Sequence, residues 1–471
     1  MPGARNPIVP TMSRILGAVA RARHDAKQAA DRVRLFAEQQ TLEQKLVDVS
    51  IQFIGASGLP KMDIVGLADP YFVAKIDGRI TFVSNVQSNT LAPVWNETWN
   101  VKNVPENATL YVEVLDKDEG SVHDDYIGSF TTSVIPGAKE VEIVSTIRKI
   151  VRGTFWLKVT TTPSEPHPKR LYLFDGPVRY TQHFSPTVGR LTNLNDERLY
   201  STWKIHLKSV ALFFRDEYQH WNTKYRAAQA IFGIGPASLA VRSSIRSGHR
   251  LLYARSTRNG NGILESKDDF LALLRGGSIG AKETTRIKPA VYTYIIAAGD
   301  DTFRFSETGA AFFVDFASKH ALHANCAERV RYSGEFHPRP AGGWASFSDE
   351  TPDDAIEWEL VIDNNSGTYS PDATLLPDLK GLLEHNFPGL VVVALDHKDP
   401  ALEESREACR AYALQHRGVG QNELQPHANE GEETLQHHAL MHTPVLERPE
   451  EQPPLSAELD EEFDHMVHSD S

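Results

Sequence analysis

Cysteine is nearly absent from this chain: 471 residues contain two, Cys326 and Cys409. Two thiols make no disulfide framework and suit a reducing compartment. Long apolar runs are missing too; none approaches the roughly eighteen residues that a membrane span needs. The opening Met1-Pro2-Gly3-Ala4-Arg5-Asn6 has no apolar core behind it, so no secretory signal is expected. Positive charge is in deficit. Lys and Arg number 49 against 62 Asp and Glu, a formal net charge of −13. That balance argues against nucleic acid as a partner. It also argues against standing attraction to an anionic membrane, so a chain that visits one needs local basic patches or a bound cation. No HExxH, paired CxxC, Walker or GxGxxG context occurs. No catalytic motif is therefore recognisable, and whether the chain is an enzyme stays open. The length allows two or three domains with a sizeable core.

What the chain does have is carboxylate, concentrated in two places. One run is Met62-Asp63-Ile64-Val65-Gly66-Leu67-Ala68-Asp69-Pro70-Tyr71-Phe72, behind the strand-like Leu46-Val47-Asp48-Val49-Ser50-Ile51. The other is Asp116-Lys117-Asp118-Glu119-Gly120-Ser121-Val122-His123-Asp124-Asp125, directly after Leu110-Tyr111-Val112-Glu113-Val114. Carboxylates this dense repel one another. Two such loops at one end of a β-sandwich would supply oxygen ligands for a hard divalent cation, and calcium takes about six to eight of them in irregular geometry. Alternatively, they are solvated loop charges.

Gly66-Leu67-Ala68-Asp69-Pro70-Tyr71, Asn89-Thr90-Leu91-Ala92-Pro93-Val94-Trp95-Asn96-Glu97-Thr98-Trp99 and Asp125-Tyr126-Ile127-Gly128 together resemble the motifs of a C2 domain. The resemblance covers about a quarter of the chain. It implies an all-β sandwich over residues 45–160. The start at Lys45-Leu46-Val47 and the end at Gly153–Val159 are similar to the family's phospholipase-type strand order. It also implies calcium as cofactor, held by Asp63 and Asp69 from loop 1 and by Asp116, Asp118 and Asp124 (or Asp125) from loop 3. Main-chain carbonyls of Met62 and Lys117 would complete the shell. Loop 3 is one residue longer than usual, which leaves Asp124 and Asp125 as alternatives. Ala92 replaces the usual Asn, a change that concerns a turn and not the metal. The implied function is calcium-dependent binding of an anionic phospholipid surface by a cytoplasmic, reversibly membrane-associated protein. A calcium-independent C2 domain used for protein contacts is the alternative. Basic residues on the middle strands are few, Lys75 and Arg79, so calcium bridging to lipid is favoured over a lysine-rich headgroup groove. Met62, Ile64, Val65 and Val122 would either be exposed apolar tips that enter a membrane or pack against neighbouring loops.

Strands are expected at Leu46–Ile54, Pro70–Ile76, Ile80–Val86, Trp95–Val101, Leu110–Val114, Ile127–Thr132, Val141–Ser145 and Gly153–Thr160, with alternation clearest at Leu110–Val114. Ahead of them, residues 12–44 carry Ile15, Val19, Ala22, Ala26, Ala29, Val33 and Phe36 at helical spacing. This N-terminal amphipathic helix, with Arg14, Arg21, Arg23 and Lys27 and no acid before Asp25, reads as a packed structural helix, a membrane-surface helix or a mitochondrial presequence.

After a Pro-rich linker at residues 161–169, residues 170–417 read as an α+β or α/β domain. A helix is expected over Asp196–Thr223, continuing through Tyr225–Ile231. Strands are expected at Ala290–Ala298, Ala311–Phe316, Val330–Phe336, Ile356–Ile362 and Leu390–Leu395, and helices at Leu376–Asn386 and Leu402–His416. This region resembles a module found beside C2 domains in fungal proteins. His320 and His323 three apart, Glu335 and His337 on one strand face, and Asp363 ending a strand are candidate groups for a zinc or acid–base site, which would make the chain a membrane-targeted enzyme such as a metal-dependent hydrolase. They serve equally as hydrogen-bonded structural residues. Residues 418–471, with Glu430, Glu432, Glu433, Glu450, Glu451, Glu458, Asp460, Glu461 and Glu462, have the composition of a disordered acidic tail. Leu455, Leu459, Phe463 and Met466 at helical spacing would let part of it fold on a protein partner.

Overall fold

A computed structural model describes residues 45–416, apart from 63–65, 119–123, 147–148, 185–200, 277, 280–281, 284–285, 309–317 and 349. The expected N-terminal helix and acidic tail lie outside the described residues.

The first part is antiparallel throughout. Its strands are β1 Leu46–Ser57, β2 Pro70–Ile76, β3 Ile80–Val83, β4 Val94–Pro105, β5 Thr109–Asp116, β6 Asp125–Ser133, β7 Gly137–Val144, β8 Val151–Pro163 and β9 Leu173–Gly176. They run in the order β3-β2-β5-β6-β7-β8-β1-β4-β9. β6 and β7 share one registered pair, Ser129 with Val144, where the path turns from one layer to the other. β1 sits between β4 and β8, so the last strand of the eight expected lies beside the first. That is the phospholipase-type order.

Alternation explains the packing. In β5, Leu110, Val112 and Val114 are fully buried and the residues between them are not. Phe53, Phe72, Phe82, Trp95, Trp99 and Phe155 fill the space between the layers, with ring centroids such as Phe53–Phe72 at 4.6 Å and Phe72–Trp95 at 4.9 Å. Each ring of this size removes some 150–250 Å² from water, which makes such a cluster the main source of stability here. β9 comes from beyond the expected linker and pairs with β4, for example Lys102 with Leu173. Asn103, in a left-handed turn of β4 (φ 59°), donates through its amide to the Arg170 carbonyl at 2.6 Å and fixes that addition.

The second part is built on a mixed sheet. Its strands are β10 Arg179–Phe184, β11 Ser201–His206, β12 Gln219–His220, β13 Gly260–Ile263, β14 Ser278–Ile279, β15 Lys282–Glu283, β16 Tyr292–Ala297, β17 Thr302–Glu307, β18 Arg329–Pro340, β19 Trp358–Asp363 and β20 Val391–Leu395. The main order is β13-β10-β11-β17-β16-β18-β19-β20, with β12 on β18 and β14–β15 as a separate hairpin. The helices are α1 Val210–Phe213, α2 Arg226–Phe232, α3 Pro236–Leu252, α4 Lys267–Ala272, α5 Lys319–His323, α6 Leu376–Asn386 and α7 Pro400–His416. Among the described residues only β19 and β20 are parallel, and α6 is the crossover between them. A parallel pair needs such a crossover, while the antiparallel remainder does not.

The helix expected over Asp196–Thr223 is corrected: Ser201–His206 is strand β11, and Val210–Phe213 is the one helix of that stretch among the described residues. Trp203, Ile205 and Leu207 are all buried, a period of two that the 3.6-residue reading folded into a longer helical pattern. Strands β10, β13 and β17 were not anticipated. The expected strand Ala311–Phe316 lies outside the described residues. α6 has the expected bounds, and α7 starts two residues early. One face of the sheet packs Trp203, Ile205, Tyr292, Phe303, Phe305 and Phe336 against Leu379, Leu382 and Leu383 of α6.

Candidate functional site

The acidic loops meet at one end of the first sandwich. Pro70 opens β2 opposite Asp116, the last residue of β5, which in turn faces Asp125 at the start of β6. Loop 1 is tied to loop 3 on both sides of Asp69. The Asp69 amide donates to Asp116 Oδ1 at 2.6 Å, and the Lys117 amide donates to the Asp69 carbonyl at 3.0 Å. Asp69 Oδ1 accepts the Asn89 amide at 2.6 Å, and Asn89 Oδ1 accepts the Leu67 amide at 2.8 Å. Gly66 turns the chain into this arrangement at φ +92°, a conformation that costs a side chain dearly. Asp116 is fully buried and Asp118 half-buried. Asp63 lies outside the described residues.

Asp124 is engaged otherwise. Its Oδ2 accepts the Tyr71 hydroxyl at 2.6 Å and its Oδ1 meets Lys117 Nζ at 2.6 Å. Asp125 is exposed. Among the described residues no three of His, Cys, Asp and Glu stand close enough to hold a metal ion. The donors present nevertheless suit calcium by their chemistry: they are all oxygen, come from two loops, and leave Asp69 and Asp116 adjacent. Of the apolar tip residues, Met62 packs against the sandwich core and Leu67 is exposed; Ile64, Val65 and Val122 lie outside the described residues.

The five candidate groups of the second part separate into different places. Glu335 and Asp363 come together: the Glu335 amide donates to Asp363 Oδ1 at 2.7 Å, and Asn365 donates to the same oxygen at 2.8 Å. Arg406 of α7 reaches Glu335 Oε2 at 3.1 Å. Burial, then the Glu335 charge, hold the Asp363 carboxyl well above the usual carboxylate range. His337 shares the Glu335 face and meets Ser405 Oγ at 2.8 Å. His320 sits on the Gly334 carbonyl at 3.0 Å. His323 lies between the Tyr253 hydroxyl at 2.8 Å and Ser306 Oγ at 2.9 Å. Burial lowers all three imidazoles, His337 to about 3, His320 to about 4 and His323 well below its usual value. They are neutral hydrogen-bonding groups in this fold.

A larger feature escaped the sequence. Where the first sandwich meets the second sheet, a cavity of about 350 Å³ is lined by β3–β4 residues such as Ser84, Trp95 and Glu97 and by Arg179, Lys204 and Arg255 from the second part. Arg179 pairs with Glu97 at 3.1 Å, donates to the Val83 carbonyl at 3.2 Å and lies 3.7 Å above the Phe82 ring. Arg255 donates to the Ser84 carbonyl and covers the Tyr71 ring at 4.9 Å. Lys204 pairs with Asp300 at 2.8 Å. These cations come from widely separated segments with no motif spacing, so the sequence held no signal that joined them.

The family model described as C2 domain matches residues 47–145. The chain is 30% identical over 129 residues to Elicitor-responsive protein 3 of Oryza sativa subsp. japonica, covering 26% of this chain and 88% of that protein. It is 28% identical over 150 residues to Synaptotagmin 1 of Drosophila melanogaster, covering 31% of this chain but only 28% of that protein. Among solved structures, a C2 domain of plant Extended Synaptotagmin 1 is 21% identical and covers 26% of this chain and 99% of that one, with a TM-score of 0.24.

Proposed function

Because this chain belongs to the C2-domain family, we propose that its first sandwich binds an anionic phospholipid surface in a calcium-dependent manner and carries the second part to that surface. The observation that supports this most is the mutual pinning of Asp69 and Asp116, which sets carboxylates of two loops side by side. Asp63, Asp69, Asp116 and Asp118 would hold the cation, with the Met62 and Lys117 carbonyls. Asp125 is the better fifth ligand, since both oxygens of Asp124 are committed to Tyr71 and Lys117. Bound calcium would reverse the sign of the loop end and offer open positions to lipid phosphate or carboxylate oxygens. The hydrogen bonds on either side of Asp69 set the register of the two loops. Each positive charge gained near a cytoplasmic leaflet is worth roughly 1 kcal/mol, enough for reversible docking.

The Lys117–Asp124 pair supports a second reading, in which the acidic end is partly neutralised from within and makes protein contacts without calcium. Vesicle co-sedimentation separates the two. Phosphatidylserine and phosphatidylcholine vesicles are each tested in calcium and in chelator, with the wild type and the Asp116→Asn/Asp118→Asn variant. Calcium-dependent, phosphatidylserine-selective pelleting that the variant loses supports the first reading. Equal binding in calcium and chelator refutes it, and absence of binding leaves the protein-contact reading.

A further inference from the structure

A covered sheet face ordinarily carries apolar side chains, because burying polar groups is costly unless each finds a partner. One face of the second sheet obeys, with Trp203, Ile205, Phe303 and Phe305. The alternate residues of the same strands are polar: Arg179 and His183 on β10, Lys204 and His206 on β11, Arg304 and Ser306 on β17. Strand pairing sets them in one patch, Arg179 beside His206 and Lys204 beside Arg304. Nothing in the folding of a sheet calls for this inversion, and β3 and β4 of the first sandwich roof part of it. The space left between has a volume within the roughly 300–1,000 Å³ typical of small-molecule sites.

We propose that this cavity binds a small phosphorylated molecule, its phosphate held by Arg179, Lys204 and Arg255 and its body placed against Trp95, Tyr180 and Tyr253. Of the three cations that line the cavity, Arg179 is answered by Glu97 and Lys204 by Asp300, and among the described residues Arg255 has no carboxylate within ion-pair distance, so its charge is left to be matched. Donors are left as well: Arg179 Nε is buried without a hydrogen-bond partner among the described residues. Two guanidinium groups and an ammonium, arriving from separate segments, suit a tetrahedral group with several oxygens and close to two negative charges better than a planar carboxylate with one. The positive field registers in the histidines: burial first, then Arg179 and Lys204, push His206 well below its usual value, and burial and Lys204 hold His183 at about 3. The three cations all come from the second part, and Arg255 touches the acidic end through the Tyr71 ring, whose hydroxyl binds Asp124.

The test is calorimetric titration of the full chain, in chelator, so that its failure is independent of the calcium reading. The probes are inorganic pyrophosphate, soluble inositol trisphosphate, and phosphatidylcholine vesicles with and without phosphatidylinositol bisphosphate. Saturable one-to-one binding is expected, weakened at least about tenfold by Arg255→Met and by Asn261→Asp, which removes a cation from the lining and adds an anion to it respectively. Asn261 is exposed and stands outside the ion pairs, so its variant reports charge and not folding. Binding of the soluble phosphates supports the proposal with a free phosphate ester as ligand; binding confined to the phosphoinositide vesicles, and lost in both variants, supports it with a lipid headgroup. No saturable binding to any probe, or binding that neither variant alters, overturns it.

Discussion

In β5 of the first sandwich, the covered residues Leu110, Val112 and Val114 are apolar; in β17 of the second sheet, the equally covered Thr302, Arg304 and Ser306 are polar. Both strands alternate, and both bury their inner set. The difference lies in what satisfies them. Leu110 and its neighbours need only contact. Arg304 needs two oxygens of Asp300 at 2.9 and 2.8 Å, Thr302 Oγ1 at 2.9 Å and the His323 carbonyl at 2.7 Å. A packed apolar face is a stability device that tolerates approximate fit. A bonded polar face is high-stakes: it repays its burial only when nearly complete, and it leaves oriented donors wherever the network opens onto space.

Truncating one ring in each part should show the shared component. Phe53→Ala in the sandwich and Trp203→Ala under the second sheet should each cost about 3–5 kcal/mol in urea unfolding, since both are fully enclosed by other rings. Arg179→Met breaks the comparison. It should cost about 3 kcal/mol although the substitute is apolar, because Glu97 is left charged and half-enclosed. The double variant Arg179→Met/Glu97→Gln should recover most of that loss. A double variant as unstable as the single one would mean that the cation holds the layers by packing on Phe82 alone.

Acid should divide the two parts. His183 and His337 are lowered to about 3, His249 and His320 to about 4, and His206 and His323 well below the usual value, all chiefly by burial. Unfolded, each takes a proton near 6.5, so below that pH the unfolded chain binds more protons and stability falls as pH falls. The slope is about 1.4 kcal/mol per pH unit for each group that responds fully. Asp363, Glu97 and Asp301, raised by burial, act in the opposite direction, three carboxyls against six imidazoles. Between residues 45 and 160 the one histidine is His123, outside the described residues. Peptide-resolved hydrogen exchange from pH 7 to 5, corrected for intrinsic rates, should therefore show protection lost in the second part and kept in the first. A smaller effect is expected from Lys117→Met. Removing the ammonium beside Asp124 should tighten calcium binding about fivefold, measured by competition with a chelating dye.

The first sandwich was legible because its strands announce themselves twice, by alternation and by loop chemistry at their ends. Leu110–Val114 needed no tertiary knowledge, and Asp69 and Asp116 fell where the motifs put them. The second sheet was half legible. α6 carries leucines at helical spacing and was found to the residue, whereas Thr302-Phe303-Arg304-Phe305-Ser306 alternates as a half-exposed strand would although both of its faces are covered. Trp203, Ile205 and Leu207 were absorbed into a helical pattern because apolar positions on both sides matched a longer period. The cavity was not legible at all. Arg179, Lys204 and Arg255 converge only through strand pairing and through the meeting of the two parts.

Calorimetric titration of calcium into the full chain, beside the Asp116→Asn/Asp118→Asn variant, tests the central claim most directly. Saturable calcium binding by the wild type, abolished in a variant whose thermal unfolding in chelator is unchanged, is the result predicted. No binding by the wild type, or binding that the variant keeps, would contradict it.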